Sequence, residues 1–339
     1  MLTSDADLES PEAALQPENA HLDLLFGIRH MLDSFTSGLV FEAMLPLPAV
    51  LLNQTSFRQK ALTYTKLEDK MKAFLGKALD ERIDAALDGS ESSSDLLTAL
   101  LEAELQLVDG DASRLGPEHT RNIITSASEI LMAGSDTSAV AIAWALLLLA
   151  AHPDVQARVH AELDRALPPH PAAHTSSTLA LSDFDDKTKL PYTRAVLNEA
   201  LRVHAVAPLA VPHTALEDFS LDLPTGESVA IPKGTWLMYN IWAIHRDKAV
   251  FGPDADEFRP ERFLDNPGLL EHPSYMPFGV GSHVCVGRNL AAQSTIVVLA
   301  LLLREFAVHP VEPGKPTITG DHISTSLNPK APYLRITRR

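Results

Sequence analysis

One cysteine, Cys285, occurs in 339 residues, in the stretch Pro277-Phe278-Gly279-Val280-Gly281-Ser282-His283-Val284-Cys285-Val286-Gly287-Arg288. A lone thiol among small and flexible positions, at the start of a long apolar run, has the makings of an axial ligand. A thiolate holds haem iron and pushes electron density onto it, provided the backbone comes close to the flat macrocycle and the sulfur stays charged. Gly279, Gly281 and Gly287 permit that approach and any positive φ the loop needs. The run from about Val286 to Phe306 reads as a helix whose N-terminal dipole favours thiolate over thiol. The competing reading, equally open from this stretch alone, is a buried structural cysteine.

The spacing Phe278-x-x-Gly281-x-His283-x-Cys285-x-Gly287 resembles the haem-ligand signature of the cytochrome P-450 family, of a eukaryotic, fungal-like type, with His283 where most members carry Arg. A second match lies in Ala133-Gly134-Ser135-Asp136-Thr137-Ser138, inside an otherwise apolar helical run from Pro117 to Leu149. Glycine costs about 1 kcal/mol in a helix interior, and Asp and Thr compete for backbone hydrogen bonds, so the segment predicts a local opening. It is similar to the central-helix motif of the family, which implies that Thr137 and Asp136 deliver protons during dioxygen activation. Read alone, it is better explained by a glycine-kinked helix with a satisfied threonine.

These residues need a scaffold. Leu190-Pro191-Tyr192 opens a helix that sets Glu199 and Arg202 three apart, on one face. Glu-x-x-Arg is frequent by chance and, if exposed, worth little. Phe258-Arg259-Pro260-Glu261-Arg262-Phe263 resembles the second arginine segment of the family. The resemblance implies that Glu199, Arg202 and Arg262 close a buried bidentate network that fixes the loop on the thiolate side, without chemistry of their own. By position, His213 and His283 would face the haem propionates, although neutral imidazoles are weaker carboxylate partners than Arg. The same resemblance implies that Ile130, Ala133, Val206, Ala207, Leu209 and Ser326 contact substrate.

The remaining chain reads as mainly helical with a minor sheet. Residues 1–20 are acidic and lack apolar periodicity, as a frayed start does. His21 to Leu52 suggests two helices joined at Pro46 and Pro48. Thr63–Leu87 is amphipathic, Asp95 caps a helix reaching Leu107, and Val155–Leu167 forms another. Strands are expected at 205–211, 228–231 and 235–239 and in the tail after residue 306. Residues 21–339 are expected to form one haem-binding domain of the cytochrome P-450 fold, lacking its N-terminal portion. In the family that portion holds a membrane anchor, most of the first sheet and a Trp-x-x-x-Arg propionate helix. Trp242 and Arg246 have that spacing but follow Glu199, so they are a decoy.

A net charge of −16 excludes the basic stripe that nucleic-acid binding needs. One cysteine excludes an internal disulfide framework and fits the cytosolic side of a cell. The longest apolar run, Ala139–Ala151, falls short of the roughly 20 residues of a membrane span. The chain as written is thus soluble or peripheral, with the endoplasmic reticulum membrane implied only if an anchor precedes it. No glycine-rich nucleotide motif is present. The resemblance therefore implies a monomeric haem-thiolate monooxygenase, set in secondary metabolism. It would carry haem b (iron protoporphyrin IX) and insert one atom of dioxygen into an apolar small molecule. Electrons would come from NADPH through an NADPH-cytochrome P-450 reductase. Two rivals stay open: a haem-free or inactive member of the family, and a haem enzyme that rearranges hydroperoxides without external electrons.

Overall fold

A computed structural model describes residues 55–90, 95–168, 184, 186, 188–223, 225–311, 320–323, 327–329 and 334–339. The readings of residues 1–20, of the helices at 21–52 and of Ser326 lie outside these. The chain divides into two compact units, residues 1–136 and 137–339.

The first unit contains α1 (Thr55–Asp88), α2 (Leu96–Leu107) and the first part of α3 (Pro117–Ala151). Apolar residues spaced four apart put one stripe of each helix into a shared core: Met71, Leu75 and Leu79; Leu97 and Leu101; Ile123 and Ala127. The Asp95 side chain accepts the Thr98 N–H at 3.0 Å, satisfying one of the orphan donors at the start of α2. His119 Nδ1 meets Glu104 Oε2 at 2.6 Å and ties α3 to α2.

The second unit is built on the rest of α3, with α4 (Pro153–Ala166), α5 (Pro191–Val203) and α9 (Arg288–Glu305) around it. Trp144, Leu147, Val159, Leu163, Val196, Ile296 and Leu299 form its core. Three short helices, α6 (Ile241–Ile244), α7 (Lys248–Phe251) and α8 (Glu261–Asp265), lie between α5 and the cysteine loop in sequence. Among the described residues, four antiparallel ribbons complete the unit. β1 (His213–Thr214) pairs with β4 (Trp236–Leu237), and β2 (Phe219–Asp222) with β3 (Ser228–Ile231). β5 (Phe306–Pro310) pairs with β8 (Leu334–Arg338), and β6 (Gly320–Ile323) with β7 (Leu327–Pro329).

Three expectations change. No strand forms at 205–211, where only an isolated bridge joins Leu209 to Asn240. Pro208 and Pro212 lack the N–H donors a ladder requires. The helix α3 runs without interruption through Gly134, so the expected opening is absent. The Ser135 hydroxyl donates back to the Leu131 carbonyl one turn earlier and satisfies itself within the helix. α3 as formed is also long and apolar enough to cross a membrane by length and composition, unlike the shorter apolar run read from sequence. Its Val140–Ala150 stretch is apolar because it fills the core of the second unit.

Two polar side chains replace missing backbone partners in this core. Gln156 on α4 acts as a strand edge: its Nε2 donates to Val308 O at 2.9 Å and its Oε1 accepts Val308 N–H at 2.8 Å. Glu162, 3% exposed, caps α5 from outside, accepting the N–H groups of Tyr192 at 2.7 Å and Thr193 at 2.8 Å and the Thr193 hydroxyl at 2.6 Å. Removing that carboxylate strands two N–H donors at a buried helix start. We expect Glu162→Ala to cost roughly 3 kcal/mol and Glu162→Gln about half as much, read from the urea midpoint. A midpoint unchanged in Glu162→Ala would show that water replaces the cap.

Candidate functional site

The site is built upward from α5. Glu199 and Arg202 are both fully buried and form a bidentate pair, Arg202 Nε to Glu199 Oε2 at 2.8 Å and Nη2 to Oε1 at 2.7 Å. The three remaining N–H groups of Arg202 donate to backbone carbonyls: His245 O at 2.7 Å, Ala255 O at 2.6 Å and Glu257 O at 2.9 Å. All five guanidinium donors are therefore used.

Arg262 joins from α8. Its Nε lies 3.4 Å from Glu199 Oε1, its Nη1 donates to Phe251 O and to Asp254 Oδ1 at 2.9 Å, and its Nη2 to Asp254 O at 2.9 Å. The Arg259 N–H also reaches Glu199 Oε1, at 2.9 Å. Hydrogen bonds from Arg262, assisted by Arg259, hold the Asp254 carboxyl down at about 2. Glu199, Arg202 and Arg262 are thus brought together, and residues 245–262 are wrapped around them.

The cysteine loop follows. Gly279 and Gly281 both adopt positive φ, 74° and 71°, so the chain can double back where a Cβ would strain it. The Cys285 N–H donates to Phe278 O at 2.8 Å, and Gly279 N–H to Met276 O at 3.0 Å. Phe278 anchors the loop by packing on the main core. The helix α9 begins at Arg288, two residues later than the sequence suggested, and Ala291 N–H already bonds Gly287 O at 2.8 Å. A Cβ at Gly287 would stand 3.8 Å from the Cys285 sulfur.

The residues fit a flat apolar group held by a thiol. Cys285 is free and exposed, Val286 beside it is 95% exposed and Leu290 on the first turn of α9 is 60% exposed. Water-facing aliphatic side chains flanking a lone sulfur are what a covering macrocycle requires. His213 and His283 meet edge to face, with ring centroids 5.1 Å apart, so the β1–β4 ribbon brings one imidazole to the other. Among the described residues no three His, Cys, Asp or Glu side chains cluster to hold a metal ion.

Other expected residues are placed as follows. Val206 is buried, Ala207 half-buried and Leu209 exposed. The Leu327 N–H donates to Val206 O at 2.7 Å, while Leu327 O accepts Trp144 Nε1–H at 2.6 Å. These two bonds join the 205–209 segment, the tail and α3 within the second unit. Thr137 is exposed at the start of the second unit, whereas Ile130, Ala133 and Asp136 belong to the first.

Sequence reasoning missed His245, which sits inside the segment Trp242–Arg246 set aside as a decoy. Arg246 does stack on Trp242, 3.9 Å from the ring centroid, and its Nη2 donates to Val203 O at 2.6 Å. The fully buried imidazole of His245 connects Arg202 to Met276, positions brought together only by the fold. No spacing rule marks it. Trp144 is a second omission, stacked on His204 with centroids 3.8 Å apart.

The sequence matches the cytochrome P450 family over residues 20–336, and the chain belongs to that family. Among curated relatives it is 32% identical to human Cytochrome P450 2U1 over 276 residues, 81% of this chain and 47% of that protein. It is 35% identical to Steroid 17-alpha-hydroxylase/17,20 lyase of Gallus gallus over 67% of this chain and 42% of that protein. With Ent-cassadiene C11-alpha-hydroxylase 1 of Oryza sativa subsp. japonica it shares 33% identity over 71% of this chain and 45% of the relative. All three are eukaryotic, and the chain spans a little under half the length of each.

Burial depresses His204 and His245 to about 4 from the ordinary 6.5, so both are neutral at physiological pH. A depressed histidine means that the unfolded chain takes up the proton first as pH falls. Stability should be full above about pH 6.5, fall by up to about 3 kcal/mol per ring as pH drops toward 4, and level off below. The Asp254 contribution is lost in a lower window, between 3.8 and about 2. Urea unfolding at a series of pH values checks this; equal stability at pH 7 and pH 5 would contradict it.

Proposed function

We propose that this chain carries the thiolate-ligand and proton-handling parts of a haem-dependent monooxygenase. It would insert one atom of dioxygen into an apolar small molecule, with electrons from NADPH passed on by a separate reductase. The observation that carries the reading is Cys285: a free, exposed thiol on a glycine-shaped loop, followed by a long helix and flanked by exposed aliphatic side chains. Haem b, when bound, supplies the redox-active iron at which dioxygen is activated.

The tasks of the chain's own residues follow from their chemistry. Cys285 provides the ligand sulfur; Phe278, Gly281 and Gly287 shape the backbone that presents it. His213 and His283 would hold the propionates as hydrogen-bond donors. Thr137, with Asp136 next to it on α3, holds and passes protons. Val206, Ala207 and Leu209 would form apolar contacts to substrate. Arg288 and Arg304, at the two ends of α9, would offer charges for an acidic electron-donor partner. A single free thiol fits the reducing cytoplasmic side.

The comparisons support this reading through the names of two relatives, a steroid hydroxylase/lyase and an ent-cassadiene hydroxylase. The alternative, a family member that binds no haem, draws on His213 and His283 standing where arginines are the commoner choice.

Two variants test the proposal in haem-loaded protein with a reductase. Thr137→Ala should consume NADPH at a similar rate but divert about ten times more of it to peroxide, as expected when a positioned proton donor is lost. Unchanged coupling would remove Thr137 from that role. Cys285→Ser should lose the thiolate absorption spectrum while keeping its helical circular dichroism, and a retained spectrum would place the ligand elsewhere.

A further inference from the structure

His245 joins the end of α5 directly to the backbone at the start of the cysteine loop. Its Nδ1 lies 3.2 Å from Arg202 O at the end of α5, and its Nε2 lies 3.0 Å from the backbone N of Met276. A carbonyl only accepts and an amide N–H only donates, so these partners fix the neutral tautomer with its proton on Nδ1. The backbone O of His245 accepts from Arg202 Nη1, which locks the residue to α5 a second time. Its ring stacks on Tyr275, with centroids 5.6 Å apart and planes 25° apart. The Tyr275 hydroxyl in turn reaches back to Asn198 O at 3.2 Å.

Downstream of Met276 the path continues without a gap. Met276 O accepts from Gly279 N–H, and Phe278 O, one residue earlier, accepts from Cys285 N–H. A line of hydrogen bonds therefore runs from the buried Arg202 through one imidazole to the backbone of the only cysteine. The groups facing the ring are the guanidiniums of Arg202 and Arg246 and the phenol of Tyr275, with Glu199 occupied by Arg202. Both nearby cations favour the neutral imidazole.

We propose that His245 is a positioning residue for the Cys285 ligand, setting the register of the 276–285 loop through its Nε2 acceptor without touching the cofactor. This rests on the ligand role proposed above for Cys285. The geometry also says which substitutes can work. Glutamine carries an acceptor at about the reach of Nε2, whereas asparagine reaches only as far as Nδ1 and cannot span to Met276. Phenylalanine keeps the stack on Tyr275 and neither hydrogen bond.

The test uses the full chain, with a first readout that needs no haem: hydrogen exchange of peptides covering residues 276–285, and the alkylation rate of Cys285. His245→Phe and His245→Asn should each speed exchange in that segment about tenfold, the opening expected from one lost buried hydrogen bond. Peptides from α4 and the second half of α9 should be unchanged. His245→Gln should stay within about twofold of the parent protein. If His245→Phe does not fold, the Gln and Asn pair still decides. A second readout is the share of added haemin that shows a thiolate spectrum, lowered in Phe and Asn and restored in Gln. Phe, Asn and Gln behaving alike, or loosening spread over the whole unit, would overturn the proposal. Failure of the parent protein itself to take haem would instead remove the proposed function, leaving the exchange result to judge the positioning.

Discussion

A guanidinium without access to water has to find a partner for every N–H, and the second unit is arranged around how Arg202 does so. Desolvating that charge costs several kcal/mol, which only good geometry and full hydrogen bonding offset. Glu199 supplies two acceptors from the preceding turn of the same helix, and the carbonyls of His245, Ala255 and Glu257 supply the rest. Those three carbonyls come from a segment whose one regular element is the single-turn helix α7. Its path is set by the directions in which one planar side chain can donate.

From that node the constraint passes to the cysteine loop by two routes. One is Arg262, whose donors reach Glu199, Phe251 and Asp254 and so hold the segment before the loop. The other is His245, which reaches Met276 directly. Between Met276 and Cys285 the loop is held by its own short hydrogen bonds and two positive-φ glycines. A rigid presentation of this kind suits a ligand residue, because a sulfur must be aimed before a metal arrives if geometry is to favour one coordination mode. The price is a buried charge cluster that tolerates no partial loss, since removing one partner leaves the others uncompensated.

Much of this could be read from the sequence, and the reasons differ by element. Long apolar helices, such as Pro117–Ala151 and Arg288–Glu305, are legible with ends shifted by about two residues, because Pro and Gly mark where backbone donors stop and turns begin. The family was legible in Phe278-x-x-Gly281-x-His283-x-Cys285, where each position has a separate steric or chemical reason. The strand expected at 205–211 was a misreading of apolar residues as a ladder despite Pro208 and Pro212. The opening expected at Gly134 overrated a local cost of about 1 kcal/mol against a 35-residue helix. The hydrogen bonds of His245 and Trp144 were invisible because they are made to backbone groups, and backbone carbonyls and amides carry no signature in a sequence. A side chain that reads main chain is recognised only once the fold is known.

The central claim is that Cys285 is presented by this scaffold as the ligand of a haem iron. The most direct measurement is the carbon monoxide difference spectrum of the haem-loaded, dithionite-reduced full chain. The account predicts a strongly red-shifted Soret band, the mark of a thiolate opposite the bound gas. A Soret band at the position given by a neutral ligand, or no haem band at all, would contradict it.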